Sequence, residues 1–285
     1  MSRWRRDQRG VALLLVLWAC TLLAILLGGY AVLARTEGLQ ARYQFAQAQA
    51  HYAAEAGLMR AIYGLHDPQT KRRWRADGRI YPFHFDNATV LVSAIDEGGK
   101  VDLNTASVQV LQRLFVAAGQ SPEDAGKLAE NVIEWRSPPG MGNDEASRRA
   151  IYAAAGRDYG PRSGAFASVE ELQLVLGVTP ELYRMLAPQL TIWSGRPIPD
   201  ANTAPPLALA SIPGLTDRQM EIIRAARLRN ASDAALALDA GTTHSIRSEA
   251  TLADGTRAIL RATIRLQAGG AQPYAVLRWQ EGEAE

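Results

Sequence analysis

At 285 residues the chain is long enough to bury a sizeable core in one or two domains. Its formal net charge is only +2, from 31 Lys+Arg against 29 Asp+Glu, so no polycationic surface of the kind nucleic-acid proteins carry is indicated. Cys20, the single cysteine, excludes a disulfide framework within one chain; it sits in the most apolar run, where a buried, protonated thiol is expected.

The chain opens with MSRWRRDQRG, which carries Arg3, Arg5, Arg6 and Arg9 against one acid, Asp7. Val11 to Ala34 then runs without a charge. As a helix that run spans about 36 Å, more than the ~30 Å hydrocarbon core of a membrane. Basic residues concentrated ahead of it place the N-terminus in the cytoplasm and the remainder across the membrane. Val32-Leu33-Ala34 could serve a signal peptidase, but the apolar run exceeds a signal core and helical character continues past it. From Arg35 to Leu65 there is no proline. Ala46, Ala50, Ala53, Gly57, Leu58, Ala61, Ile62 and Leu65 recur at steps of three and four, and Asp67-Pro68 supplies a stop. One helix of about 55 residues is predicted, its outer half carrying a face to bury.

Residues 79–95 read as a hairpin around Asp86-Asn87. A second β-rich block follows near the C-terminus: His244–Leu252, a turn at Asp254-Gly255, Arg257–Leu266, a turn at Gly269-Gly270, and Tyr274–Trp279. Arginines alternating with apolar residues indicate a sheet with one wet face and one packed face, for which the helix stripe is the natural partner. Between the strand blocks the chain repeats itself. Val101-Asp102-Leu103-Asn104-Thr105-Ala106 is echoed by Pro199-Asp200-Ala201-Asn202-Thr203-Ala204, each ahead of a helical pattern. The first pair of helices turns at Gly119 with Ser121 as cap and Pro122 at the first position. The last turns at Pro213-Gly214, with Thr216 and Gln219 in a capping-box pattern. A middle unit, capped at Ser168, turns at Gly177 and continues through ELYRMLAPQLTIW.

These pieces carry a resemblance. The basic leader ending in Gly10 directly before an apolar helix resembles a type IV pilin or pseudopilin precursor. DEGGKVDLNTA, NVIEWR, FASVEELQLVLGVTPELYRMLAPQLTIWSG and the DANTA echo resemble the K-type minor pseudopilins of the bacterial type II secretion system. The resemblance covers nearly the whole chain and implies cleavage by a prepilin peptidase between Gly10 and Val11, with methylation of the new N-terminus. Leu15 stands at the fifth mature position, where most pilins carry a glutamate and the K type does not. The fold class implied is α+β: a pilin-like N-terminal helix on an antiparallel sheet, with an inserted all-α domain of helix–hairpin–helix-like units. The expected division is a leader at 1–10, a transmembrane part at 11–34, a periplasmic part of the same helix at 35–66, a sheet from 78–101 and 242–281, and the insertion at 102–238. The resemblance further implies a protein of the inner membrane, single pass, with a periplasmic head that caps the pseudopilus tip. Implied partners are the I-, J- and H-type minor pseudopilins and the major pseudopilin.

Helix–hairpin–helix units also bind DNA, so a membrane-tethered DNA-uptake protein is the alternative. Such hairpins need paired glycines and basic neighbours for phosphate; these turns carry one glycine each, with Glu123, Asp124, Glu130, Glu134 and Glu181 nearby, and no nucleic acid is expected. Some K-type relatives bind calcium after the first helical pair. Here that loop clusters only Asn143, Asp144 and Glu145 among arginines, without EF-hand spacing, and a solvated loop is favoured over a cofactor site. Asp96 and Asp102 flank a Gly-Gly turn and read as turn residues. His51, His66, His84 and His244 lack zinc-ligand spacing, and neither a nucleophile elbow nor a P-loop is present, so no enzyme is expected.

Overall fold

The computed structural model describes residues 8–69, 72–138, 144–229, 243–267 and 273–282. A single helix, α1, runs from Gln8 to His66. At about 1.5 Å per residue its 59 residues extend roughly 90 Å. It stops where Pro68 cannot donate to the ladder, and the Asp67 carboxylate takes the Gln69 N–H at 2.8 Å.

The sheet against which α1 lies has five antiparallel strands in the order β1-β2-β5-β6-β7. They are β1 (Asp77–Phe85), β2 (Ala88–Asp96), β5 (Thr243–Leu252), β6 (Arg257–Leu266) and β7 (Tyr274–Gly282). Asp86 takes a left-handed conformation (φ 52°) at the β1–β2 turn, and Gly255 (φ 88°) does so at β5–β6. The predicted Gly269-Gly270 turn lies outside the described residues. β2 and β5, distant in sequence, pair without a break from Ala88↔Leu252 to Asp96↔His244.

Ala50, Ala53, Ala54, Leu58, Ala61, Ile62 and Leu65 of α1 are buried against Val90, Val92, Ala94, Ile246, Leu260 and Ile264. The stripe is made of small residues because the helix sits low on the sheet. A Cβ on Gly57 would stand 2.2 Å from Ser248 Oγ and 2.8 Å from Val90 Cγ1, and one on Gly64 would stand 2.6 Å from the Trp74 ring. Trp74 closes the end of this core by stacking on Tyr81 at 4.0 Å.

Between β2 and β5 the chain builds a second core from helices. They are α2 (Val108–Ala117), α3 (Pro122–Arg136), α4 (Glu145–Ala154), α5 (Pro180–Leu186), α6 (Pro206–Ser211) and α7 (Asp217–Arg229). Two short parallel strands, β3 (Val101–Asp102) and β4 (Leu190–Thr191), tie the start of this region to its middle. Trp135, at the centre, is ringed by Tyr152, Tyr159 and Phe166 with centroids 6.1–6.4 Å away. Two caps sit where the residue pattern put them: Ser121 accepts the Asp124 N–H, and Thr216 and Gln219 exchange bonds as a capping box, while Thr179 adds a third by accepting the Leu182 N–H.

The middle unit departs from expectation. Val169–Leu174 forms a 3-10 helix with no side-chain cap from Ser168, and only Leu172 is buried, so no apolar stripe exists for a longer α-helix to bury. α5 likewise ends at Leu186, because Pro188 lacks the N–H that would extend it, and Leu190-Thr191 become β4. Trp279 is exposed on the edge strand β7.

Close approach of α1 to the sheet sets a stability test. Gly57→Ala should cost about 1–3 kcal/mol in denaturant unfolding of the detergent-solubilised chain, since Ser248 and Val90 must move. Gly126→Ala, whose Cβ would meet only Gln112 Nε2 at 3.7 Å inside α3, should instead stabilise by about 0.5–1 kcal/mol.

Candidate assembly surfaces

The inner two-thirds of α1 touch nothing else in the chain. Every described side chain from Ala12 to Phe45 is exposed, including Leu13, Leu17, Trp18, Leu22, Ile25, Leu26 and Leu33. From Ala12 to Ala34 the helix is apolar and bare on all sides, a surface built for a lipid or protein environment. It is long and apolar enough to cross a membrane. Gly10 and Val11 lie within the helical run, and Leu15 is 65% exposed on its surface. Cys20, expected to be a buried thiol, is exposed for the same reason: no part of the fold reaches that level of the helix.

The echoed Asp-x-Asn-Thr-Ala segments fold into the same structure twice. Asp102 accepts the Asn104 N–H and Asp200 the Asn202 N–H, both at 2.8 Å, while the Ala106 and Ala204 N–H groups reach the Asp102 and Asp200 carbonyls at 2.8 Å. From the second helix of each pair an arginine returns to the turn. Arg136 donates to the Leu103 and Ala106 carbonyls at 2.5 and 2.6 Å, and Arg227 donates to those of Ala201 and Ala204. Burial pulls both guanidinium groups below their ordinary value, with Asp102 and Asp200 opposing it. The repeat is visible in the sequence and the clamp is not, although the arginines ending NVIEWR and RAAR are its signal.

Between the two cores lies a polar junction. Asp96 accepts the Gly98 N–H at 2.8 Å and the Thr203 hydroxyl at 3.1 Å, and Asp102 accepts the Gly195 N–H at 2.7 Å and the Ser194 hydroxyl at 3.2 Å. These two carboxylates are turn residues, as expected, but both are buried and fasten distant segments together. Gly99 is obligatory here, since a Cβ would stand 2.5 Å from the Thr203 carbonyl carbon. His244, first on β5 to pair with β2, is fully buried, and its Nδ1 has no partner among the described residues. Burial pushes its imidazole below the usual value, against the pull of Asp96 and Glu97.

Residues 87–195, which span the β2 strand, the junction and the first Arg136-clamped pair, match the family described as type II secretion system (T2SS), protein K. Over that span the chain is similar to the protein K family. A chain of the crystal structure of the GspK-GspI-GspJ complex from the enterotoxigenic Escherichia coli type 2 secretion system is similar over 88% of this chain and 99% of that one. Its TM-score is 0.54 at 18% identity, a likeness of fold: long N-terminal helix, antiparallel sheet and added helical region. None of the curated proteins matches the sequence.

The loop for which the sequence resemblance implied calcium does not bring together a fitting donor set among the described residues. Asp144 caps α4, accepting the Ser147 N–H at 2.7 Å, which holds its carboxyl below the usual range. Glu145 is exposed on the first turn, and Asn143 lies outside the described residues. A hard cation asks for six or more converging oxygens. Among the described residues no group of three or more His, Cys, Asp or Glu side chains is placed to hold a metal.

Two outcomes are expected. Arg136→Met and Arg227→Met each leave two turn carbonyls without their donor and should lower stability by about 1–3 kcal/mol in urea melts, the double variant more than either alone. His244 stays neutral in the folded chain, whereas in the unfolded chain it takes a proton near 6.5. Its contribution is therefore complete above that pH and is lost as pH falls toward the lowered folded value. The loss should approach ~1.4 kcal/mol per pH unit and disappear in His244→Gln, read from urea midpoints against pH.

Proposed function

We propose that this protein is a minor pseudopilin that caps the tip of the periplasmic pseudopilus and takes part in its assembly for protein export across the outer membrane. The observation that carries the reading is the bare apolar length of α1, continuous with the packed half that organises the head. A soluble protein gains nothing from such a surface, whereas a subunit that passes from bilayer to filament needs it in both places. The arginines of the leader favour a cytoplasmic N-terminus and a periplasmic head. In this reading the leader is cut between Gly10 and Val11 and Val11 is methylated. Leu15 then sits where a charged subunit interface would need a carboxylate, and its apolar character suits a subunit with none stacked above it. The helical region, inserted between β2 and β5, adds the bulk that ends the stack.

Partners follow from the similar chain, which was solved with GspI and GspJ. I- and J-type subunits, with the H-type and the major pseudopilin further along, would meet the exposed outer side of α1, where Tyr43, Phe45, Tyr52 and Tyr63 stand free. The protein acts by shape, as a structural component and not as a catalyst.

The mature N-terminus decides the pathway. Mass spectrometry of the chain expressed with a prepilin peptidase should find N-methylated Val11, and Gly10→Val should leave the leader attached while the head stays folded. A start after Ala34 would make the segment a removed signal, and an uncut Met1 in the native chain would make it a plain anchor; either outcome overturns the proposal.

A further inference from the structure

The sheet face turned away from α1 carries a row of side chains that the fold does not explain. Across β2, β5, β6 and β7 the register aligns Ser93, Arg247, Arg261 and Gln280, and the next row brings Arg278 opposite Thr263. Together they line a groove of about 230 Å³. Arg247 and Arg261 are direct cross-strand partners, an arrangement that costs folding energy because like charges stand about 5 Å apart at Cβ.

Both neighbours of Arg261 hold an internal carboxylate. Arg247 bridges Glu249 at 2.8 Å, and Arg278 reaches Glu170 of the helical region at 3.2 Å. The other oxygen of Glu249 is taken by Arg257. Among the described residues no acceptor engages Arg261, which stands exposed between these two bridged arginines. The chain thus shows what this face takes, a carboxylate on each flanking guanidinium, and leaves the central one open.

We propose that this groove binds a carboxylate-bearing segment of another protein, an Asp or Glu side chain seated on Arg261 with Ser93 and Gln280 as flanking hydrogen-bond donors. A polypeptide fits better than a nucleic acid. The open charge is a single guanidinium and not a track of them, the net charge of +2 gives little long-range attraction for a polyanion, and the exposed Ile95 at the rim offers apolar contact that a peptide can use. A bidentate guanidinium–carboxylate pair supplies both the strength and the geometry.

The test uses the full chain in detergent micelles and a fluorescein-labelled octapeptide of alternating Glu and Leu, read by anisotropy. Binding should weaken about tenfold or more in Arg261→Gln, which removes the one charge of the three without an internal partner. It should weaken with added salt and stay unchanged in Arg184→Gln, a control on the exposed side of α5. The thermal midpoint of Arg261→Gln should be no lower than that of the native chain. Equal affinity of the Arg261→Gln and native chains for the peptide overturns the proposal. So does tighter, Arg261-dependent binding of a single-stranded oligonucleotide or of inorganic phosphate, which would make the groove a general anion site.

Discussion

The pairing of β2 with β5 is the contact on which the rest of the head depends. It joins strands separated by residues 97–242 and leaves no gap in register from Ala88↔Leu252 to Asp96↔His244. Closing a loop of that length carries an entropic cost on the order of 4 kcal/mol beyond the constant term. The helical region reduces that cost by folding compactly, and the junction of Asp96, Gly98, Gly99 and Thr203 holds its ends beside the strands they leave and join. Once β2 and β5 are paired, the even-numbered side chains of both strands face α1 together. The small-residue stripe of the helix then has a continuous apolar surface to settle on.

Much of this was legible in the residues. The helix stripe from Ala46 to Leu65 read correctly because a 3.6-residue period over so long a proline-free stretch has few other interpretations. β6 was read to the residue, since RAILRATIRL alternates between two turn signals. The errors are local and physical. A Ser followed by two glutamates looks like a helix cap at Ser168, yet the segment buries only Leu172 and settles as a 3-10 turn. Pro188 sits inside an apolar run that looks helical, and it is what ends α5 ahead of β4. The apolar neighbours of Cys20 in sequence say what it is next to and not whether the fold covers it.

What sequence could not show is which polar groups meet across distance. Arg136 and Arg227 are ordinary helix-terminal arginines on paper, and only the fold brings each back to its own Asn-Thr-Ala turn. The two clamps make the outer pairs of the helical region variants of one unit. The second has the shorter first helix, six residues in α6 against ten in α2. Arg113 on α2 reaches the Ala210 and Leu215 carbonyls of the other pair, so the units are stitched to each other as well as to themselves. The arginine row on the outer sheet face is the complement: its alternation was read from sequence as a wet face, but the absence of a partner for Arg261 emerges only from the register.

The order of the chain has a consequence in time. α1 precedes the head in the chain and can hold the protein at a membrane before the head exists, while Thr243–Gly282, which supply three of the five strands, are made only after the helical region. Until they arrive, β1 and β2 form a hairpin with an open edge and the stripe of α1 has little to cover it, the condition in which unfinished β-proteins aggregate. The helical region has its own core and needs none of the late strands, so it can fold while they emerge. A chain so arranged can spend its vulnerable interval already anchored, with the helical region already folded.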